Sequence, residues 1–376
     1  MRVRGPEELR RLRSGRLVFE DGAVFPGVVF GALQPAAGEV VFTTGMVGYP
    51  EALTDPSYRG QILVFTYPSQ GNYGVPRPSR GEPTAFEQAG GLPDRPFESD
   101  RIHLSGVVCA AHSENYSHRT AAISLGEWLA GQGVPALTGI DTRALTKKIR
   151  MHGALLGRIE IDGRTSPEFD DPNRRNLVGE VSTRRVERHG KGGVPVVLID
   201  CGRKNNQIRM LVRLGAEVTV APWDHDLRRL ARECAGVVIS NGPGDPQLAS
   251  ATIATARVLM RRAVPILGIC LGHQILALAA GARTYKMKFG HRAHNQPCLD
   301  ATTGRCYQTS QNHGYAVDGR SLPRGWETWF TNANDGTNEG LRHRSGPWLS
   351  VQFHPEAAPG PTDTEWILEE FLAKIR

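Results

Sequence analysis

Residues 264–280 read V-P-I-L-G-I-C-L-G-H-Q-I-L-A-L-A-A, a buried-strand run that stops at Gly268, turns at Cys270 and resumes from Leu271 with helical spacing. This segment constrains the fold most, because a strand and a helix meet within two residues and the glycines at 268 and 272 bracket Cys270 in a G-x-C-x-G spacing. That spacing corresponds to the nucleophile elbow, where close backbone approach leaves no room for a Cβ and the turn pushes the central side chain out. The first turn of a helix, with unpaired N–H groups and the positive dipole end, favours a thiolate there. The alternative is a buried structural cysteine, a common fate for this residue type.

A thiol nucleophile needs a base and a group to orient it. W-L-S-V-Q-F-H-P-E at 348–356 supplies both: the strand pattern ends at Pro355 and leaves His354 and Glu356 at its tip. A carboxylate two residues beyond the imidazole can accept from its second nitrogen and stabilise the imidazolium. Of the other eleven histidines, His273 and His313 lie in comparably suggestive motifs, and His273 competes for the role of base from the helix after Cys270.

The surrounding pattern supplies a scaffold. From Val194 apolar runs alternate with helical periodicity: V-P-V-V-L-I-D, Asn206 to Leu214, A-E-V-T-V-A-P, Leu227 to Cys234, G-V-V-I-S, Ala249 to Arg262, and then the nucleophile strand and helix. This predicts an α/β domain over 194–376 with a doubly wound, mostly parallel sheet. I-S-N-G-P-G-D-P at 239–246 suits a loop at the carboxyl edge of that sheet, where open α/β sheets bind ligands; alone it would read as a surface turn. Residues 1–160 have a different grain, with short strands between glycines and prolines and helical patterns over Leu125 to Ala130 and Thr142 to His152. They predict a β-rich N-terminal α/β domain that serves as a binding or interface module, and the polar, aperiodic stretch 161–193 reads as a linker.

These pieces together resemble the class I glutamine amidotransferase family, with its flavodoxin-like sheet. The resemblance implies a Cys270–His354–Glu356 triad acting on L-glutamine. It implies glutamine contacts from Gly242 and Gly244 of the glycine loop, from Leu271 (whose N–H can face an oxyanion), from Gln274, and from Asn312, Gly314 and Tyr315 in Q-N-H-G-Y at 311–315. Three N-terminal stretches, 38–58, T-Y-P-S-Q-G-N-Y-G at 66–74 and G-I-D-T-R-A-L-T at 139–146, with C-G-R-K-N-N at 201–206 and K-M-K-F-G-H at 286–291, resemble the small-subunit family of carbamoyl-phosphate synthetase. That resemblance implies a large-subunit partner carrying ATP, bicarbonate and the metal ion, with no cofactor and no metal in this chain. It also implies carbamoyl phosphate for arginine and pyrimidine synthesis. Another synthetase's amidotransferase subunit or a free-standing hydrolase would share the triad; the motifs around Gly48, Asp55 and Asp141 argue against both.

The chain departs from that pattern in places. Gly45 stands where the family usually has a serine that contacts glutamine, and one lost hydrogen bond is worth roughly 1 kcal/mol, about fivefold in affinity. Residues 75–101, rich in proline, glycine and charge, read as a surface insertion. H-R-A-H-N-Q-P-C at 291–298 and Tyr315, commonly phenylalanine, also differ.

Composition narrows the remaining classes. The net charge of +7 is diffuse, its densest cluster T-R-R-V-E-R-H-G-K-G-G at 183–193 falling in the expected linker, so nucleic-acid binding is not expected. No apolar run approaches the ~18 residues that span a membrane. Six cysteines without C-x-x-C pairs or zinc-type spacing, and a basic start at 1–16 with no apolar segment after it, suit reduced thiols in a cytoplasmic protein.

Overall fold

A computed structural model describes residues 14–76, 92, 97–228 and 230–376. The basic start and most of the expected surface insertion lie outside the described residues. The chain divides into two compact units: residues 14–53, 58–76 and 101–172 form one, and residues 54–57, 97–100 and 173–376 belong to the other.

The first unit is built on strands β1 (Ser14–Phe19), β2 (Val24–Gly31), β3 (Ala36–Thr43), β4 (Gln61–Phe65), β5 (Val75–Pro76), β6 (Gly106–Cys109), β7 (Ala121–Ile123), β8 (Pro135–Thr138) and β9 (Leu155–Ile161). Seven of them close into a barrel in the order β1-β2-β8-β6-β4-β3-β9, leaving the β5–β7 pair outside. The inward-facing residues Leu17, Val40, Ile62, Val64, Leu137 and Ile159 are fully buried, as closure requires of alternate positions. Helix α1 (Tyr49–Thr54) ends this unit's first segment, α2 (Leu125–Gly131) starts at a Ser124–Glu127 capping box, and α3 (Thr142–His152) starts at Asp141, whose carboxylate accepts from the Ala144 N–H at 2.9 Å.

The second unit holds β10 (Glu187–His189), β11 (Val194–Asp200), β12 (Ala216–Pro222), β13 (Gly236–Ile239), β14 (Ile266–Ile269), β15 (Thr284–Asp300), β16 (Cys306–Val317), β17 (Trp326–Asn332), β18 (Asn338–His343) and β19 (Trp348–Val351). Its helices are α4 (Leu177–Val181), α5 (Asn205–Arg213), α6 (Leu230–Glu233), α7 (Ser250–Arg261), α8 (Leu271–Ala280) and α9 (Trp366–Ile375). One ten-stranded sheet runs β10-β12-β11-β13-β14-β19-β18-β16-β15-β17. The pleat sorts its apolar residues: Val197, Ile199, Val237 and Ile239 face a layer with Ile253 of α7 and Ile275 of α8, while Val196, Leu198, Val218 and Val238 face Ile208 of α5 and Phe371 of α9.

The sheet is doubly wound, but "mostly parallel" describes only part of it. Strands β12, β11, β13, β14 and β19 are parallel neighbours, whereas β15 to β18 join them antiparallel. Antiparallel pairing follows because no α-helix intervenes between Thr284 and Val351, only a single 3-10 turn at Gly319–Ser321, so each strand returns directly beside its neighbour. The stretch expected as a linker is also structured: α4 lies within it, and β10 pairs antiparallel with β12, covering an open sheet edge. Among the described residues no helix is long and apolar enough to cross a membrane.

Candidate active site

Cys270 sits between β14 and α8 with φ 52° and ψ −101°, a region that non-glycine residues rarely occupy. The site holds it there from both sides. Its N–H donates to Val351 O of β19 at 2.9 Å, and a Cβ on Gly268 would meet Gly272 O at 2.5 Å, one on Gly272 would meet Ile239 O at 2.0 Å. Any side chain at either glycine would push strand and helix apart, so the pair of glycines sets the strained turn. The thiol is buried, with Sγ 3.7 Å from the Asn312 carbonyl oxygen, at the N-cap of an all-buried helix start.

His354 follows β19 and is buried beside Cys270. Its Nδ1 lies 2.7 Å from Glu356 Oε1, which fixes Nδ1 as the protonated nitrogen and turns Nε2 to the other side of the ring. Burial opposes the imidazolium, but the carboxylate of Glu356 and the sulfur of Cys270 outweigh it and raise the His354 pKa to about 10. Burial pushes the Glu356 carboxyl up, and the His354 and Lys204 charges more than offset that, leaving its pKa lowered. The arrangement favours the imidazolium form of His354.

A polar shell braces the carboxylate. Lys204 Nζ lies 3.7 Å from Glu356 Oε1 and donates to Ala357 O, Gln207 Nε2 donates to Glu356 Oε1 at 3.3 Å, and Asn206 Nδ2 donates to Glu356 O at 2.5 Å. All three sit at the start of α5, where Lys204 and Gln207 share one helix face. Behind them Arg209 Nη1 pairs with Glu98 Oε1 at 3.1 Å, both side chains buried. Glu98 corrects the reading of 75–101 as a surface insertion: at least this end is anchored inside the second unit, because a guanidinium and the Asn206 N–H compensate its charge. Sequence reasoning did not assign Lys204 and Gln207 a role; their spacing of three at a helix start is the only local signal, since the carboxylate they face lies far along the chain.

The other expected contacts are distributed as follows. Leu271 is the first residue of α8, so its N–H has no intrahelical partner and is directed out of the helix N-terminus. Gly242 packs its backbone against Cys201 O, where a Cβ would come within 2.1 Å, and Gly244 has φ +81°. Gln274 Nε2 donates to Tyr315 O at 2.8 Å and Gln352 Oε1 at 2.9 Å. Asn312 donates to Asp55 Oδ2 at 3.0 Å, and Asn241 donates to Ser57 Oγ at 2.8 Å, so residues 54–57 order the strand and loop that flank Cys270. Gly314 follows on the same strand, and the Tyr315 hydroxyl donates to Asn173 Oδ1 at 3.3 Å. Gly45 belongs to the first unit, its N–H on Thr43 Oγ1 at 3.2 Å. His273 points into the core toward Ser350 Oγ at 2.9 Å, and burial lowers its pKa to about 3, which removes it as a competitor for the base.

The elbow, the strand-tip histidine and its carboxylate on a doubly wound sheet define a class I glutamine amidotransferase domain, and residues 197–374 match the model described as "Glutamine amidotransferase class-I". Residues 17–159 match "Carbamoyl-phosphate synthase small chain, CPSase domain". The chain is 49% identical over 98% of its length to the carbamoyl phosphate synthase arginine-specific small chain of Emericella nidulans, 81% of which it covers. It is 51% identical over 95% of its length to that of Neosartorya fischeri, covering 78%. It is 52% identical to the multifunctional protein CAD of Squalus acanthias over 96% of its length, but spans only 16% of that protein. The chain belongs to the carbamoyl-phosphate synthase small-chain family.

Proposed function

We propose that this chain hydrolyses L-glutamine and passes the ammonia to a partner chain that makes carbamoyl phosphate. The observation that carries the reading is His354, buried between the Glu356 carboxylate and the Cys270 thiol. The Cys270 thiolate adds to the side-chain amide carbon of glutamine, and the developing oxyanion is held by the Leu271 N–H and the backbone of the Gly242–Gly244 loop. His354 gives its proton to the departing nitrogen, the C–N bond breaks and a glutamyl thioester remains. The neutral imidazole then takes a proton from water as it attacks; the C–S bond breaks, glutamate leaves and the thiolate returns. Glu356, braced by Lys204 and Gln207, keeps the imidazole in register through both steps.

Ammonia released to water near neutral pH would be mostly protonated and a poor nucleophile, so a buried passage to the acceptor suits the chemistry. Following the family resemblance, we assign ATP, bicarbonate and the metal ion to a large subunit; the two chains would form a heterodimer supplying arginine and pyrimidine synthesis. The small-chain name of the relatives and their fusion within multifunctional proteins favour such a partner. The test is glutamine hydrolysis by the purified chain and by Cys270→Ser, each with and without a large synthetase subunit. Slow hydrolysis that accelerates with the partner and its substrates and vanishes in the variant supports the reading. Fast hydrolysis indifferent to the partner would instead point to a free-standing hydrolase or another synthetase.

A further inference from the structure

The motif Q-N-H-G-Y contains His313, which the proposed chemistry leaves unused. His313 on β16 is paired in register with His291 on β15, and their rings meet edge to face with centroids 5.1 Å apart. Glu339 on β18 completes a buried cluster in which one ligand atom from each residue lies within 4.8 Å of the others.

The hydrogen bonds around this cluster are lopsided. His313 Nδ1 lies 2.8 Å from Tyr315 O, a carbonyl that can only accept, so Nδ1 carries the proton and Nε2 of the neutral ring is bare. His291 Nε2 lies 2.9 Å from Asp335 Oδ2, again an acceptor, so in the neutral ring Nδ1 is the bare nitrogen. The two bare nitrogens converge on Gln311 Oε1, at 2.9 Å from His313 Nε2 and 3.1 Å from His291 Nδ1. Glu339 Oε1 lies 3.3 Å from His291 Nδ1, and among the described residues Glu339 Oε2 has no hydrogen-bond partner. Gln311 spends its own N–H groups elsewhere, on Cys298 Sγ and Thr309 Oγ1. Glu339 Oε1 accepts from Asn332 Nδ2 at 3.1 Å and Thr337 Oγ1 at 3.3 Å, but among the described residues no donor meets Glu339 Oε2 or stands between the two imidazole nitrogens and the Gln311 amide oxygen, an arrangement that a cation reconciles.

We propose that His291, His313 and Glu339 bind a divalent transition-metal ion of the zinc class, with Gln311 Oε1 at the fourth position. Two imidazoles and a carboxylate are a zinc ligand set. The remote nitrogen of each histidine is already held as such ligands are held, one by a carboxylate and one by a backbone carbonyl. The ion would tie β15, β16 and β18 together and fix the strand carrying Asn312 and Gly314. Its role is structural and does not depend on the proposed glutamine chemistry.

The test uses the full chain carrying Cys270→Ser, so that the nucleophile cannot bind metal, with Zn²⁺ and Co²⁺ alone as probes. After equilibration and desalting, elemental analysis should find one ion per chain, and the Co²⁺ form should show visible d–d absorption without a thiolate charge-transfer band. Glu339→Gln should weaken retention about 100-fold or more, and Asp335→Asn, altering a half-exposed residue that meets the cluster at the remote nitrogen of His291 and otherwise accepts from Thr337, about 10–100-fold. Asp335→Asn keeps the test open if Glu339→Gln does not fold. No retained ion, or an ion whose retention ignores both substitutions, would overturn the proposal and leave Gln311, with its amide reversed, as the donor the two nitrogens need.

Discussion

His354 stands at the carboxyl rim of the parallel strands and His273 on the core-facing side of α8, and both are buried. Their basicities nonetheless diverge, with His354 raised to about 10 and His273 lowered to about 3. Burial acts on both in the same direction, so the difference lies in the partners. Ser350 offers His273 a dipole at 2.9 Å, whereas Glu356 offers His354 a full charge at 2.7 Å, kept ionised against burial by His354 itself and by Lys204. A buried imidazole keeps its proton near neutral pH where a compensated carboxylate has been buried with it.

The strongest way to break that comparison is to remove the rim's chemistry. Cys270→Ser or His354→Asn should lower kcat for glutamine hydrolysis by on the order of 10⁴–10⁶-fold with folding retained, since nucleophile and base act as a unit. Steady-state assay decides it, and a loss under about tenfold for either would remove the triad. Glu356→Gln keeps the shape but takes away the charge that holds His354 up. It should lower kcat by about 10⁴-fold and displace the alkaline limb of the pH–rate profile to lower pH. An unmoved limb would mean that another group orients the imidazole.

Next in size is the backbone. Gly272→Ala would place a Cβ 2.0 Å from Ile239 O, a clash with backbone that no rotamer relieves. We expect a loss of more than about 3 kcal/mol in denaturant unfolding, or no soluble protein. Gly281, at the other end of α8, has open space around a Cβ position but a φ of +104°, so Gly281→Ala tests strain alone and should cost about 1 kcal/mol or somewhat more.

This contrast also explains how much was legible beforehand. G-x-C-x-G and H-P-E are local: their chemistry is written within a few residues, and the alternating runs from Val194 placed the parallel strands that carry them. The rest depends on distance. Glu98 reads as surface because its guanidinium partner lies 111 residues away, and Lys204 joins Glu356 across a similar gap in sequence. The antiparallel strands between Thr284 and Val351 carry many buried polar residues, Thr309 to His313 among them, so apolar periodicity is weak where the sheet changes direction.

The smallest expected effect belongs to His273, and it separates the two histidines by pH. The folded pKa of His354 lies above its unfolded value of about 6.5, so its contribution to stability is fully present below about pH 6.5 and is lost as pH rises toward about 10. The folded pKa of His273 lies below the unfolded value, so the unfolded chain binds the extra proton and stability falls as pH drops from about 6.5 toward about 3. His273→Asn should therefore flatten part of the acid limb of a Tm-against-pH curve and leave the alkaline limb in place. The limb is only partly flattened because burial also lowers His103 to about 3 and His294 to about 4. Loss of the Ser350 hydrogen bond and of ring volume should cost about 1–3 kcal/mol at neutral pH, with kcat changed less than about tenfold. If His273→Asn instead matched His354→Asn in lost turnover while keeping its stability, the imidazole on α8 would take part in the reaction, and the partner of a buried histidine would not be what separates the two regions.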